Sequence, residues 1–154
     1  MSAIRPIPSM SSSLGRNVFP SRLAMLLGRP DCEDVETELT KTLPLSLDLS
    51  LLDNLTKAGL TERELTLILP PRIRANRHAK GQPLSAEESE RAFRIARLLA
   101  LAESVFGNSA KALLWLRTPL PRFAQRTAME MMSSEIGGRM VEEMLIQIDE
   151  GYAA

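Results

Sequence analysis

Apolar residues recur at helical spacing along most of the chain. Leu49, Leu52 and Leu55 form a stripe, and Gly59 falls where a left-handed residue would end the helix. Thr61-Glu-Arg-Glu64 then reads as a capping box, in which the Thr hydroxyl accepts from the N3 amide and the Glu side chain reaches back. A short helix through Leu65 and Ile68 must stop at Pro70-Pro71, because a proline ring clashes with a preceding helical turn. Pro71 can open the next helix, where its missing N–H costs nothing, and Gly81 closes it. Ser85-Ala-Glu-Glu88 is a second box, and the helix it starts runs to Phe106. From Ile95 to Val105 that helix is apolar on nearly every face, the pattern of a central, buried helix. Over Ala92 to Phe106 one small unit is expected to bury only part of its girth, leaving the rest for a second copy of the chain. Gly107 stops it, and Asn108 caps another that ends at Thr118-Pro119. Thr127-Ala-Met-Glu130 is a third box, and the last helix spans about Ser134 to Gly151. No alternating segment bounded by turn residues argues for strands, so the fold class is all-α.

The N-terminal part differs. Met1 to about Asn17 is rich in Ser and Pro, lacks periodicity, and reads as a disordered or extended arm. Pro20 to Leu27 fits a short helix, with Ser21 near its start and Gly28 after its end; Pro30 to Thr42 fits a loop or a weak helix. The expected organisation is an N-terminal arm over residues 1–44, partly disordered with a short helix. A helix-turn-helix region with the long central helix follows over 45–106, then a C-terminal partner-binding domain over 107–154.

Composition narrows the classes. Aromatics are only 4% of residues, and Leu, Ala and Met carry the apolar content, which favours helices over sheets. The 19 basic and 19 acidic residues cancel, so net charge says nothing about partners, but their distribution does. No acid occurs from Leu65 to Ala86, where Arg72, Arg74, Arg77 and Lys80 cluster. From Glu130 onward six acids face a single base, Arg139. A basic middle and an acidic tail suggest two different partners. One cysteine, Cys32, permits no intrachain disulfide and suits a reducing compartment. No secretory signal and no apolar run of membrane-spanning length stands in the sequence, so the expected location is cytoplasmic, with no membrane partner.

Three short helices with a tight break between the second and third match the helix-turn-helix layout, whose last helix lies in the major groove. Arg72, Arg74, Asn76, Arg77 and Lys80 supply the side chains that contact phosphates, guanine and adenine. A solvated basic face on a helical bundle fits the same residues equally well. His78 belongs to that surface rather than to a metal site, since it is the sole histidine and has no ligating neighbour. On a helical wheel of the last helix, Ile136, Met140, Val141, Met144, Leu145 and Ile148 fill one half and fit packing on the rest of the domain. Arg139, Glu142, Glu143, Asp149 and Glu150 fill the other half. Ile146 falls among these acids and is a candidate partner contact, although single exposed apolar residues are ordinary. Gly137 lies mid-stripe, where it would let another segment approach closely. The five methionines of this region read as core filler. The carboxylates of Glu87-Glu88 and of Glu142-Glu143 diverge around the axis and read as ordinary solvated charges. Nothing pairs a nucleophile with a base, and no Gly-rich phosphate loop or cofactor motif occurs; the chain is expected not to be an enzyme.

Ala102-Glu-Ser-Val-Phe-Gly107, Ala112-Leu-Leu-Trp-Leu-Arg-Thr-Pro119, Arg126-Thr127, Glu135-Ile-Gly-Gly-Arg139 and Gly151-Tyr152 together resemble the Xre/ParS/MbcA-type antitoxin family. The resemblance covers roughly Leu51 to Ala153, and the Trp-Leu-Arg-Thr-Pro run with the distal Gly-Tyr is its most specific part. It implies a type II antitoxin whose C-terminal domain holds a RES-domain, NAD-depleting toxin and blocks its active site. It also implies repression of the chain's own operon through operator DNA, as a homodimer or higher oligomer. The resemblance places the end of the last helix at the toxin's cleft, and with Ile146 from the wheel the candidate toxin-binding residues are Glu142, Ile146, Asp149, Glu150, Gly151 and Tyr152. The chain departs from the family where Gly-Gly often precedes a Thr-Pro; here Ala124-Gln125 and Thr127-Ala128 stand instead, which bears on the turn geometry. The alternative is a helix-turn-helix regulator with no toxin, its C-terminal domain used for dimerisation.

Overall fold

The computed structural model describes residues 19–151, so the expected arm over residues 1–17 and Tyr152 lie outside the described residues. Helix α1 covers residues 19–26 and ends at Gly28, whose φ is +74°. Helix α2, Val35–Thr40, resolves the loop-or-helix alternative: the Asp34 carboxylate accepts from the Thr37 amide and starts it. Then come α3 (Leu51–Lys57), α4 (Glu62–Leu65), α5 (Pro71–Lys80), α6 (Ala86–Phe106) and α7 (Ser109–Leu116). A strand β1 (Pro119–Leu120), a 3-10 turn (Pro121–Phe123) and a strand β2 (Arg126–Thr127) lead to α8 (Ala128–Met131) and α9 (Glu135–Asp149). The chain is all-α apart from this two-residue antiparallel pair, Pro119 opposite Thr127 and Leu120 opposite Arg126, which corrects the expectation of no strands. A pairing this short leaves no alternation for a sequence pattern to reveal.

The helix ends follow their caps. The boxes at Thr61 and Ser85 are both complete. Pro71 opens α5, and Gly81 and Gly107 close α5 and α6 in the left-handed conformation. At Thr127 only half a box forms: the hydroxyl accepts from the Glu130 amide, while the Glu130 carboxylate takes the Thr127 hydroxyl rather than its backbone N–H. Thr127 is also the last residue of β2, so strand and cap share one residue.

Helix α6 is the axis of the molecule. Ala92, Ile95, Ala96, Leu98, Leu99, Ala100 and Ala102 are all buried. Helices α1, α3, α7 and α9 contribute Leu23, Leu52, Leu55, Leu116 and Leu145 to the same core, while Phe93, Leu101, Val105 and Phe106 of α6 stay half-buried at its edge. Its arginines stand three residues apart, and each clasps a different segment. Arg91 donates to the Ile68 carbonyl at 3.1 Å, just after α4. Arg94 donates to the Met132 and Ser133 carbonyls, at the end of α8. Arg97 binds Glu36 of α2 and Glu142 of α9, each at 2.8 Å. Arg22 of α1 forks onto both oxygens of Glu103.

Helix α9 packs through Gly137, Gly138, Val141 and Leu145. A Cβ on Gly137 would overlap the Met131 carbonyl, and one on Gly138 would lie 2.6 Å from Arg94 Cδ. The close approach expected at Gly137 is therefore real, against the end of α8. Ile136 departs from the wheel: it is 74% exposed, because the glycine pair turns the first turn of α9 inward on its backbone side. Met129 and Met132 are core filler as expected, and Met131, Met140 and Met144 pack at its edge.

The turn between the strands holds two non-glycine residues at positive φ, Ala124 at 54° and Gln125 at 65°. These are the positions where the family often has Gly-Gly. The turn places ordinary side chains in the left-handed conformation, held by Gln125 N–H to the Leu120 carbonyl at 2.9 Å. A left-handed conformation costs an L-residue about 1–2 kcal/mol, and glycine's extra unfolded-state entropy offsets about half of what its introduction would recover. Gln125→Gly should therefore raise the unfolding free energy by about 0.5–1 kcal/mol, read as a higher urea midpoint at unchanged slope. A lower midpoint would show that the Gln125 side chain contributes more than its backbone costs.

Candidate functional site

Two surfaces stand out, one basic and one acidic. The basic surface is α5. Not one of its residues is buried, and it starts and ends on proline and glycine rather than on packing. Its five basic and amide candidates separate into two sets. Arg72, Asn76 and Lys80 are exposed. Arg74 and Arg77 are turned back into the molecule. Arg74 reaches Glu62 of α4 at 3.0 Å and Asp53 of α3 at 3.3 Å. Arg77 pairs with Glu88 in the first turn of α6. Between α5 and the body runs a groove of about 710 Å³, its walls carrying Asp53 and Glu62 on one side and Arg74, Arg77 and His78 on the other. Ion pairs, not apolar burial, hold α5 across it. His78 lies exposed on this surface as expected.

Glu88 corrects the expectation of a solvated charge: it is 6% exposed. Burial pushes its carboxyl up, but the Arg77 guanidinium and the Ser85 backbone and hydroxyl outweigh this and hold it below its ordinary 4.5. Glu64 of α4 behaves alike. Burial raises it, and Arg117 with the Thr61 backbone brings it below 4.5. Glu87, one position round the helix, stays exposed, so the two carboxylates do diverge as their spacing dictates.

The acidic surface is the outer side of α9. Ile146 is 43% exposed, between exposed Glu143, Asp149 and Glu150; Gly151 follows at φ 82°. Glu142 does not share that freedom. It is the inner partner of Arg97, and this pair lifts the Arg97 guanidinium further against the opposing effect of its own burial, with Glu36 adding to it. Glu142 is thus a second correction to the solvated reading, since it links α9 to α6. Tyr152 lies outside the described residues. Elsewhere, Trp115 of α7 packs on Phe106 with ring centroids 5.7 Å apart, and Leu114 beside it is 71% exposed. Cys32 is a free, half-buried thiol. Among the described residues no three His, Cys, Asp or Glu side chains gather as a metal would need, and no helix is long and apolar enough to cross a membrane.

With this geometry in place, comparison with known proteins is decisive. The chain is 39% identical over 142 residues to a protein of Pseudomonas putida named antitoxin Xre, covering 90% of this chain and 87% of that one. Residues 101–151 match the model of the antitoxin Xre/MbcA/ParS C-terminal toxin-binding domain. The chain belongs to the Xre/MbcA/ParS antitoxin family. A further antitoxin Xre, from Yersinia enterocolitica, is 27% identical over 84 residues, 54% of this chain and 57% of that protein. This is an antitoxin of the toxin–antitoxin kind, and its family brings a toxin as partner. The matched toxin-binding region begins at residue 101, inside α6, so the axis helix runs from the α3–α5 unit into the antitoxin's partner-binding part.

Reading the residues alone missed the internal use of Arg74, Arg77, Arg91, Arg94, Arg97 and Arg117. One signal was available: arginines three apart on a helix that is otherwise apolar need carbonyl or carboxylate partners from the segments that cover it.

The two depressed carboxylates set a pH dependence. Each has a folded-state value below 4.5, so its contribution to stability is complete above the unfolded value and is lost as pH falls through the folded one. Glu88→Gln should cost about 1.5–3 kcal/mol at neutral pH, the size of a hydrogen bond to a charged group, and should make stability fall less steeply below about pH 4.5. Urea midpoints across the acid range test this; an unchanged acid slope would mean that Glu88 is as solvated in the folded state as in the unfolded one.

Proposed function

We propose that this antitoxin neutralises a RES-domain, NAD-depleting toxin through the outer side of α9 and the residues after it, and represses its own operon by reading operator DNA with α5. The observation that carries the DNA half is an acid-free helix with no buried residue, held clear of the body by ion pairs at its inner face. Helices α3, α4 and α5 then act as the helix-turn-helix, with α5 in the major groove. Arg72, Asn76 and Lys80 face the DNA. Arg74 and Arg77 orient the helix, and each can reach a phosphate only by leaving its carboxylate. Two-fold pairing of the antitoxin on a palindromic operator would double these few contacts, which is the reason for a homodimer or higher oligomer in the complex.

The toxin half rests on the family match over residues 101–151 and on an exposed Ile146 ringed by Glu143, Asp149 and Glu150. A cleft that binds an anionic dinucleotide carries Arg or Lys, and carboxylates pair with these. Asp149, Glu150, Gly151 and Tyr152 form the plug of the toxin cleft in this reading. Glu142 serves from behind, holding α9 on Arg97.

Two variants separate the halves. Arg72→Ala with Lys80→Ala should weaken binding to a duplex of the antitoxin's own promoter, and the salt slope should fall by about one unit for each phosphate that is no longer neutralised. Deleting residues 150–154 should leave folding and duplex binding intact but abolish protection of cells and their NAD from the co-expressed toxin. Unchanged duplex affinity in the first variant would remove α5 as the reader; full protection by the second would move inhibition onto the body of α9.

A further inference from the structure

The run Trp115-Leu-Arg-Thr-Pro119 places an arginine at the end of α7, and its side chain turns back onto α4. Arg117 Nε and Nη2 bind the two oxygens of Glu64, each at 2.8 Å, and Nη2 also donates to the Gly59 carbonyl at 2.7 Å. The Glu64 side chain is 14% exposed, and its Oε1 also accepts from the Thr61 amide at 2.9 Å, closing the α4 capping box. Leu113, on the same helix as the run, seats on Gly59 so closely that a Cβ there would lie 2.6 Å from its Cδ1. One helix of the toxin-binding half therefore grips Gly59 in the α3–α4 turn and Glu64 within α4.

The consequence follows from length. Helix α4 has four residues, fewer than an isolated helix needs to hold its own shape. Leu65 anchors it in the core, and its orientation is then set by its caps and by what those caps touch. Its first residue, Glu62, is in turn one of the two carboxylates that hold Arg74 of α5. A run of charged groups thus leads from Arg117 to Glu64, across α4 to Glu62, and on to Arg74.

We propose that Arg117 is a positioning residue for the DNA-reading helix, acting from within the toxin-binding half. This rests on the reading of α5 given above. A forked guanidinium on both carboxylate oxygens fixes orientation as well as distance, which an ammonium on Lys does not. With the fork in place, α4 and α5 sit at one angle to α6 and α7.

The test uses the full chain with Arg117→Ala, Glu64→Gln and the double variant; Glu64→Gln keeps a capping-box acceptor but removes the charge. Amide hydrogen exchange should quicken over residues 62–80 in Arg117→Ala while residues 135–149 keep their protection. Affinity for a duplex of the chain's own promoter should fall about three- to tenfold in either single variant and no further in the double, as coupled neighbours do, with the salt slope unchanged. Arg117→Lys, which keeps the charge on a slimmer head, should fall between wild type and Arg117→Ala in both measurements and decides the matter if Arg117→Ala does not fold. Unchanged exchange over residues 62–80, additive losses in the double variant, or a reduced salt slope would each overturn the proposal, the last by making Arg117 a phosphate contact. If the wild-type chain does not bind the duplex at all, the DNA reading itself has failed, and the exchange measurement still decides whether Arg117 positions α4 and α5.

Discussion

Everything in this molecule depends on covering α6. A 21-residue helix spans about 30 Å, and its inner residues Ile95, Leu98 and Leu99 are 2% exposed or less. Burying each such side chain is worth about 1.5–3 kcal/mol, but only when neighbours arrive from several directions. They come from α1, α3, α7, α8 and α9, elements too short or too glycine-rich to be stable alone. The charged residues of α6 then decide where each neighbour sits. Glu88, Arg91, Arg94, Arg97 and Glu103 are placed along one helix, and each has a partner from a different segment. Apolar burial brings the segments together and the charges give them register. Removing one member of such a pair would leave the other partly desolvated, which costs more than the pair itself contributes.

The same logic explains why the two outward surfaces differ. Helix α5 contributes no residue to the core, so its placement rests on Arg74 and Arg77 meeting carboxylates from α3, α4 and α6. Exposed ion pairs of the Arg74 kind are individually weak and screened by salt, whereas the Glu88 side that holds Arg77 is shielded. A helix attached in this way projects its remaining polar side chains, which is what a groove reader needs. Helix α9 is the opposite case. It is fixed by backbone approach at Gly137 and Gly138 and by Val141 and Leu145, which leaves a rigid outer side on which Ile146 is held among acids.

Much of this was legible in the sequence, for local reasons. Capping boxes at Thr61 and Ser85, the proline at the start of α5 and the glycines at 81 and 107 act within a few residues, so pattern alone located those helix ends. The centrality of α6 followed from its mostly apolar stretch, Ile95 to Val105, interrupted only at Arg97, Glu103 and Ser104. What failed was long-range. Glu88 and Glu142 looked like surface charges because their partners lie 11 and 45 positions away in sequence, at Arg77 and Arg97. Ile136 looked like core because a wheel cannot see that a glycine pair draws the backbone itself inward. The two-residue strand pair carried no alternation. Of the basic candidates, sequence found the helix but could not tell that Arg72, Asn76 and Lys80 face out while Arg74 and Arg77 face in. Family likeness supplied the toxin, which no spacing or charge could have named.

We propose that one antitoxin chain presents two separate partner surfaces on a single buried axis, α5 for DNA and the end of α9 for a toxin. Backbone amide exchange mapped on the full chain alone, with its promoter duplex, and with its co-expressed toxin tests this most directly. The account predicts that the duplex slows exchange over residues 71–80 and leaves residues 139–150 as they were, and that the toxin slows exchange over residues 139–150. Slowing over residues 139–150 by the duplex, or no slowing over residues 71–80 in a complex shown to form, would contradict it.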